Sequence, residues 1–175
     1  MQRMKTVLSA VGVVLVAASL SAQTPSFAGK WTLVVDPNAP APAGPGGGGR
    51  GGGRGGGFGQ FCGMECTITQ DATSVTVSRT TQAGETKTVY KLDGSETKST
   101  QDMGGRGTLT SASKAMVMGA KLMITTTTDM SAMGGGNRET KMTLSIEGGN
   151  MVVETTAPGF QDPTPVTTKQ TYKKG

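Results

Sequence analysis

The stretch ETKMTLSIEGGNMVVETT, residues 139–156, decides the fold class. Apolar side chains recur at every second position on both sides of a glycine pair: Met142, Leu144 and Ile146 before it, Met151 and Val153 after it. Side chains two positions apart point to the same face of a β-strand. Glycine followed by Asn supplies the positive φ angles that a tight turn between strands requires. The stretch therefore predicts a β-hairpin that turns at Gly148, Gly149 and Asn150.

The same alternation extends along most of the chain. Short runs rich in Thr, Val and Ile alternate with turn residues from Met64 to Tyr172, and nine or ten such strands can be counted. Thr and Val have restricted χ1 angles and suit a pleated surface better than a helix. Turn signals every 8 to 12 residues or so are typical of sandwiches and barrels, and sequential strands usually pair. We predict an all-β fold, either a small antiparallel up-and-down barrel or a β-sandwich.

The first strand carries a motif. In FAGKWTLVVD, Gly29-x-Trp31 precedes a long segment and then a series of hairpins, and this order resembles the lipocalin-like family. The resemblance implies an eight-stranded barrel with a cup for a small apolar ligand. It implies that Trp31 forms the barrel floor, that Phe27 and Leu33 share the core, and that residues 37–60 partly cover the cup. The chain also resembles a group of uncharacterised exported bacterial β-rich proteins that begin with Phe-x-Gly-x-Trp-x-Leu.

The N-terminus predicts export. A basic start with Arg3 and Lys5 precedes an uncharged apolar run over residues 6–20 and a small, polar stretch. This order is typical of a secretory signal peptide, and the run is too short for a comfortable membrane span. We expect a signal peptide over residues 1–22 and a single β domain over residues 23–175, in the periplasm or outside the cell. The alternative is an uncleaved membrane anchor.

A segment rich in Pro, Gly and Arg follows the first strand. Residues 37–60 contain Arg50 and Arg54 within a glycine tract, a composition that predicts a flexible loop inserted in the domain. Arg-Gly-Gly steps also occur in RNA-binding tails. Each neutralised phosphate adds only about one unit to the slope of the logarithm of the binding constant against the logarithm of salt concentration. Two arginines alone therefore contribute little to nucleic-acid binding. With export, this argues against a nucleic-acid partner.

Cys62 and Cys66 are the two cysteines of the chain. Export favours a disulfide between them. Four residues of straight strand span roughly 13 Å, whereas bridged Cα atoms lie about 4.4 to 6.8 Å apart, so the bridge requires a turn near Gly63. Free or redox-active thiols are one alternative. A soft-metal site for Cu(I) is another, with both cysteines and methionines as ligands: Met64, Met103, Met116, Met118, Met130 and Met133.

Catalytic motifs are absent from the sequence. The chain has no His, which removes Ser-His and Cys-His pairs, and its acids fall near turns or on expected solvent faces. Asp93-Gly94 is interpreted as the turn of a hairpin. We therefore predict a non-enzymatic protein without metal or other cofactor, which binds a small apolar ligand or a cell-envelope component. The alternatives are a structural or interaction module of the envelope without a ligand cavity, and a copper-binding protein.

Overall fold

The computed structural model describes residues 25–35, 61–81, 84–102, 107–158 and 164–175. The predicted signal peptide and the predicted loop over residues 37–60, with Arg50 and Arg54, lie outside these ranges. Within them the chain is almost entirely β-strand, with one short 3-10 turn at Ser131–Met133. The strands are β1 (Gly29–Leu33), β2 (Glu65–Gln70), β3 (Ser74–Thr81), β4 (Gly84–Lys91), β5 (Asp93–Asp102), β6 (Thr108–Met118), β7 (Lys121–Asp129), β8 (Asn137–Glu147), β9 (Asn150–Pro158) and β10 (Pro165–Lys174).

All ten strands belong to one antiparallel sheet. Its order is β4-β3-β2-β1-β10-β9-β8-β7-β6-β5, so β1 pairs with both β2 and β10. The sheet curls into a nearly closed up-and-down barrel in which β4 and β5 lie beside each other without a shared hydrogen-bond ladder. The prediction of an all-β up-and-down fold is confirmed, as a barrel and not a sandwich. It has two strands more than the resemblance implies.

The hairpin predicted over residues 139–156 is confirmed. Glu147 lies opposite Asn150, and Gly148 and Gly149 adopt φ angles of 58° and 83° between them. Both angles lie in the left-handed region that glycine enters without steric cost. The positive φ angles match the twist of a two-residue hairpin turn, which fixes the register of β8 on β9.

The Asp93-Gly94 hairpin is not observed. Asp93 does bend the chain, because its Oδ1 accepts a hydrogen bond of 2.8 Å from the Ser95 amide, and Gly94 has φ 79°. However, the strands on its two sides do not pair, and the β5 register against β6 shifts between Asp93 and Glu96. A bulge of this kind bends a strand and increases its twist. The turn residues therefore begin a bulged β5 at the open seam of the barrel.

The barrel has two different ends. The connections that precede β3, β5, β7 and β9 are short turns at one end, which we call the turn end. The last residues of β1, β3, β5, β7 and β9 point toward the other end, which we call the loop end.

Aromatic side chains close the turn end. Trp31 is 1% exposed, and its indole nitrogen donates a hydrogen bond of 2.8 Å to the Phe27 carbonyl. Phe27 is fully buried, and its amide donates to Gln70 Oε1 at 2.8 Å. Leu33 is half-buried and packs against the same core. The Gln70 side chain also donates to the Pro25 carbonyl, so it fastens the chain before β1 to the end of β2.

Candidate functional site

The inner wall changes from apolar to hydroxyl-bearing along the strands. On β7, Leu122 and Ile124 are buried, and the next inward positions are Thr126 and Thr128. The strand registers place the same change on the neighbouring strands. We call the inward Ser and Thr side chains the hydroxyl belt, formed by Thr86, Thr88, Thr97, Ser99, Ser111, Ser113, Thr126, Thr128, Thr140, Thr155 and Thr168.

The apolar half of the interior is tightly packed. Leu122, Leu144, Met151 and Val153 each have no accessible surface. A side chain that lined a void large enough for water would retain accessible area, and well-packed cores contain few such voids. Members of the belt such as Thr126 are half-buried. Accessible space on the described inner wall therefore lies at the belt and toward the loop end.

The segment before β2 turns into the barrel and covers the apolar half. Phe61 and Cys62 are 5% and 1% exposed and belong to the core. The Phe61 ring stacks on Tyr90 with centroids 6.0 Å apart, and the Cys62 backbone hydrogen-bonds the Tyr172 hydroxyl. Phe61 and Cys62 thus form a plug above the core.

A disulfide holds this plug in place. Cys62 is bonded to Cys66 on the inner face of β2, with Cα atoms 5.0 Å apart. Gly63, with φ 66°, provides the turn that the bridge requires. The predicted disulfide is confirmed. The bridge closes the turn next to Phe61, whose ring fills space inside the barrel.

Two tyrosines belong to the buried core, and Arg79 follows Val75 and Val77 on the inner face of β3. Burial raises the pKa of Tyr172 to about 12, and burial also raises the pKa of Tyr90. The positive charge of Arg79 partly offsets both increases. The Tyr172 hydroxyl donates to Gln170 Oε1 at 3.2 Å. Both phenols are therefore neutral at physiological pH and provide polar contacts within the barrel.

Some belt hydroxyls pair with each other. Ser111 Oγ lies 2.9 Å from Thr128 Oγ1, and Ser113 Oγ lies 2.9 Å from Thr126 Oγ1. In contrast, Thr155 is 6% exposed and its buried Oγ1 has no hydrogen-bond partner in the protein. An unpaired buried hydroxyl costs about 1–3 kcal/mol, so native proteins rarely retain one without a reason. Thr155 is therefore a candidate contact for a bound molecule, provided that entry of the molecule displaces the side chains that bury its hydroxyl.

Two clefts are bounded by described residues. One, of about 170 Å³, lies between the edges of β4 and β5 and reaches β6. The other, of about 200 Å³, lies among β8, β9 and β10 at the loop end, beside Pro158 and Pro165. Pockets for drug-sized ligands usually measure about 300–1,000 Å³, so both clefts suit only a small group.

The soft-metal ligands that the structure describes do not form a site. The disulfide removes both cysteine thiolates. Met64, Met116 and Met118 are exposed, whereas Met130 is buried at the loop end, and Met103 lies outside the described residues. Across the described ranges, His, Cys, Asp and Glu form no cluster of three that could hold a metal ion.

Three aspartates have structural roles. Hydrogen bonds from Thr73 and Ser74 lower the pKa of Asp71 to about 2, and Ser95 and Ser131 lower the pKa values of Asp93 and Asp129 in the same way. These carboxylates stabilise turns at the barrel ends.

In the part of the chain that the structure describes, no helix is long and apolar enough to cross a membrane.

Comparison with known proteins finds similar structures but no matching family. No known protein family matches the sequence, and no curated protein is similar to it. A solved structure described as the REP1-NXSQ fatty acid transporter is similar with a TM-score of 0.50 and 14% identity, over 85% of this chain and 95% of that one. Zebrafish ileal bile acid-binding protein complexed with cholic acid gives a TM-score of 0.45 and 20% identity, over 63% and 72% of the two chains. At 14% identity, the first likeness shows a shared barrel fold.

Proposed function

We propose that the protein is an exported, non-enzymatic barrel that binds a small, mainly apolar molecule through a polar group at the hydroxyl belt. One observation carries this proposal: the inward hydroxyl of Thr155 is buried and unpaired. The inner wall toward the turn end is already filled by Leu144, Val153 and the Phe61 plug. A ligand therefore enters from the loop end and reaches only as deep as the belt.

The loop end supplies apolar contacts for the rest of such a molecule. Leu109 and Ala157 are 3% and 4% exposed, and the strand registers place them on the inner side beyond the belt, while the buried Met130 follows β7 at the same end. They lie outside the main core cluster. A molecule with one polar end would place that end on hydroxyls and its apolar body against these side chains. This arrangement supports an amphipathic ligand of the kind found in cell envelopes.

The disulfide supports export. Structural disulfides persist in oxidising compartments such as the periplasm and the extracellular space. Cys62–Cys66 lies within the core beside Phe61, so the bond is part of the folded interior. Together with the predicted signal peptide over residues 1–22, it supports a mature protein that works outside the cytoplasm.

A native mass spectrum of the protein purified from its own periplasm or medium tests the proposal. We expect an organic adduct that survives gentle desolvation. Thr155→Val should lower the adduct occupancy about tenfold at limiting ligand, as expected for the loss of one buried hydrogen bond. Thr143→Val, on the outer face of the adjacent β8, should leave it unchanged.

The same spectrum distinguishes ligand binding from the alternative function, an interaction module without a ligand cavity. Met116, Met118 and Met123 are exposed apolar side chains on the outer faces of β6 and β7, as an interaction module could use. A chain that carries no adduct, or equal occupancy in both threonine variants, would reject ligand binding at the belt and favour that module.

A further inference from the structure

The seam between β4 and β5 has a chemical character of its own. These two strands are the edges of the sheet and share no ladder, and the cleft of about 170 Å³ lies between them. The seven lining side chains include four hydroxyls and two ammonium groups but no carboxylate: Lys87, Thr88, Val89, Thr97, Lys98, Ser99 and Ser113. We infer that this seam cleft is a binding site for a phosphate- or sulfate-type oxyanion group.

The cleft is bordered by side chains from both faces of the barrel wall. Thr88 lies opposite the buried Val77, and Thr97 lies opposite the buried Ser113, so both threonines face the interior. Lys87 and Lys98 occupy the adjoining positions and therefore point outward. An oxyanion in the cleft would meet ammonium groups at the outer mouth and hydroxyl donors on the inner side. Lys is a common phosphate ligand as a point charge, and hydroxyls complete such sites.

One inner hydroxyl has no partner in the protein. Thr97 Oγ1 is buried and unpaired, although Thr97 belongs to a strand edge with room beside it. Ser113 is 6% exposed and already shares a hydrogen bond with Thr126. Thr97 therefore retains unused hydrogen-bonding capacity next to the cleft, and rotation of its side chain would present the hydroxyl to a bound oxygen.

The lysines can exchange their present partners. Lys87 Nζ lies 3.6 Å from Glu85, and Lys98 Nζ lies 3.7 Å from Glu96, with the lysine side chains 64% and 73% exposed. Exposed pairs of this kind contribute little to stability. Charged lysines on edge strands discourage another chain from pairing with those strands. A small ion is therefore a better occupant of the seam cleft than a peptide strand.

An NMR titration with inorganic phosphate at constant ionic strength tests the site. We expect saturable shifts confined to the amides of residues 87–89 and 97–99. Lys87→Ala with Lys98→Ala should weaken binding about tenfold or more, because both charged ligands are lost. Thr97→Val should weaken it about threefold while leaving the charge unchanged.

Lys141→Ala with Lys169→Ala is the matched control. These two lysines are also exposed and paired with glutamates, at 3.2 Å and 3.7 Å, so the control changes the net charge equally. The control should bind phosphate like the unmodified protein. Equal weakening in both double variants, or the absence of saturable shifts along the seam, would overturn the inference.

A second titration, with octyl phosphate, identifies the source of the oxyanion. Octyl phosphate carries the same charged group on an apolar tail. Tighter binding than inorganic phosphate at the seam would identify the head group of an amphiphile, whereas equal binding would identify a free anion. The seam cleft shares Thr88, Thr97, Ser99 and Ser113 with the belt, but Thr155 lies on β9, and β8, β7 and β6 separate it from β5. Thr155→Val should therefore leave phosphate binding unchanged.

Discussion

The two halves of the barrel interior are built on the same strands but use their inner faces differently. Toward the turn end, inward positions carry large apolar side chains with no accessible surface, such as Leu144 and Met151. Toward the loop end, the next inward positions carry Ser and Thr, of which some are paired and Thr155 is not. The same strands thus provide both the apolar core and the hydroxyl belt. Stability should depend on the first half and ligand binding on the second.

Truncation in the core should have the largest effect. Leu144→Ala removes a fully buried side chain and should lower the free energy of unfolding by about 2–5 kcal/mol, because the packed surroundings cannot collapse fully. Thr140→Ala, on the inner face of the same β8 but in the belt, should cost less than about 1 kcal/mol. Denaturant titration of both variants measures the difference. Similar losses would contradict the division into two halves.

Removal of the disulfide should have the next largest effect. Cys62→Ala with Cys66→Ala opens a very short covalent loop, for which chain entropy gives a loss of about 2 kcal/mol. Phe61 should then leave the core more readily and expose apolar surface, which the fluorescent dye ANS detects. Met64→Ala, in the same loop at a side chain 64% exposed, is the control with an intact bridge. Unchanged stability and dye binding in the double variant would show that the plug does not depend on the bridge.

Two belt threonines should respond with different signs in the ligand-free protein. Thr126→Val removes the partner of Ser113, which is buried, and should cost about 1 kcal/mol. Thr155→Val replaces an unpaired buried hydroxyl with a methyl group and should leave stability unchanged or raise it by up to about 1 kcal/mol. Equal destabilisation by both would show that Thr155 has a partner within the protein.

Alkaline pH should affect stability only at its upper end. Burial raises the folded pKa of Tyr172 from 10.0 to about 12, so the neutral phenol stabilises the fold fully below pH 10. This contribution is lost as the pH rises from 10 toward 12, because the unfolded chain releases the proton first. Ultraviolet titration of the phenolate should show delayed ionisation in the folded protein. Tyr172→Phe should leave only the delayed ionisation of Tyr90, and two tyrosines that titrate near 10 would contradict the buried environment.

Local patterns predicted much of the fold. The alternation of Met142 and Leu144 with polar residues and the Gly148-Gly149 turn specify a hairpin without reference to the rest of the chain. The seam was not predictable, because pairing of β4 with β5 depends on how the whole barrel closes. Asp93-Gly94 has the composition of a hairpin turn, but the bulge and the distant β6 pairing decide its outcome.

The candidate site was less predictable than the fold. The belt has a partial sequence signal, since Thr126 and Thr128 continue the period-two series of Leu122 and Ile124. The plug has no sequence signal, because the position of Phe61 inside the barrel depends on the turn that the disulfide closes. The absence of partners for individual hydroxyls likewise depends on distances across strands. Sequence alternation specifies which way a side chain faces but not what it meets there.

A crystal structure of the protein from its own host, determined under xenon pressure, tests the central claim most directly. Xenon enters dry apolar cavities that are large enough to hold it. The two-half account predicts no xenon among Leu122, Leu144 and Val153, and a bound molecule within hydrogen-bond distance of Thr155 Oγ1. Xenon or an organic ligand enclosed among those core side chains, with Thr155 making no contact, would contradict it.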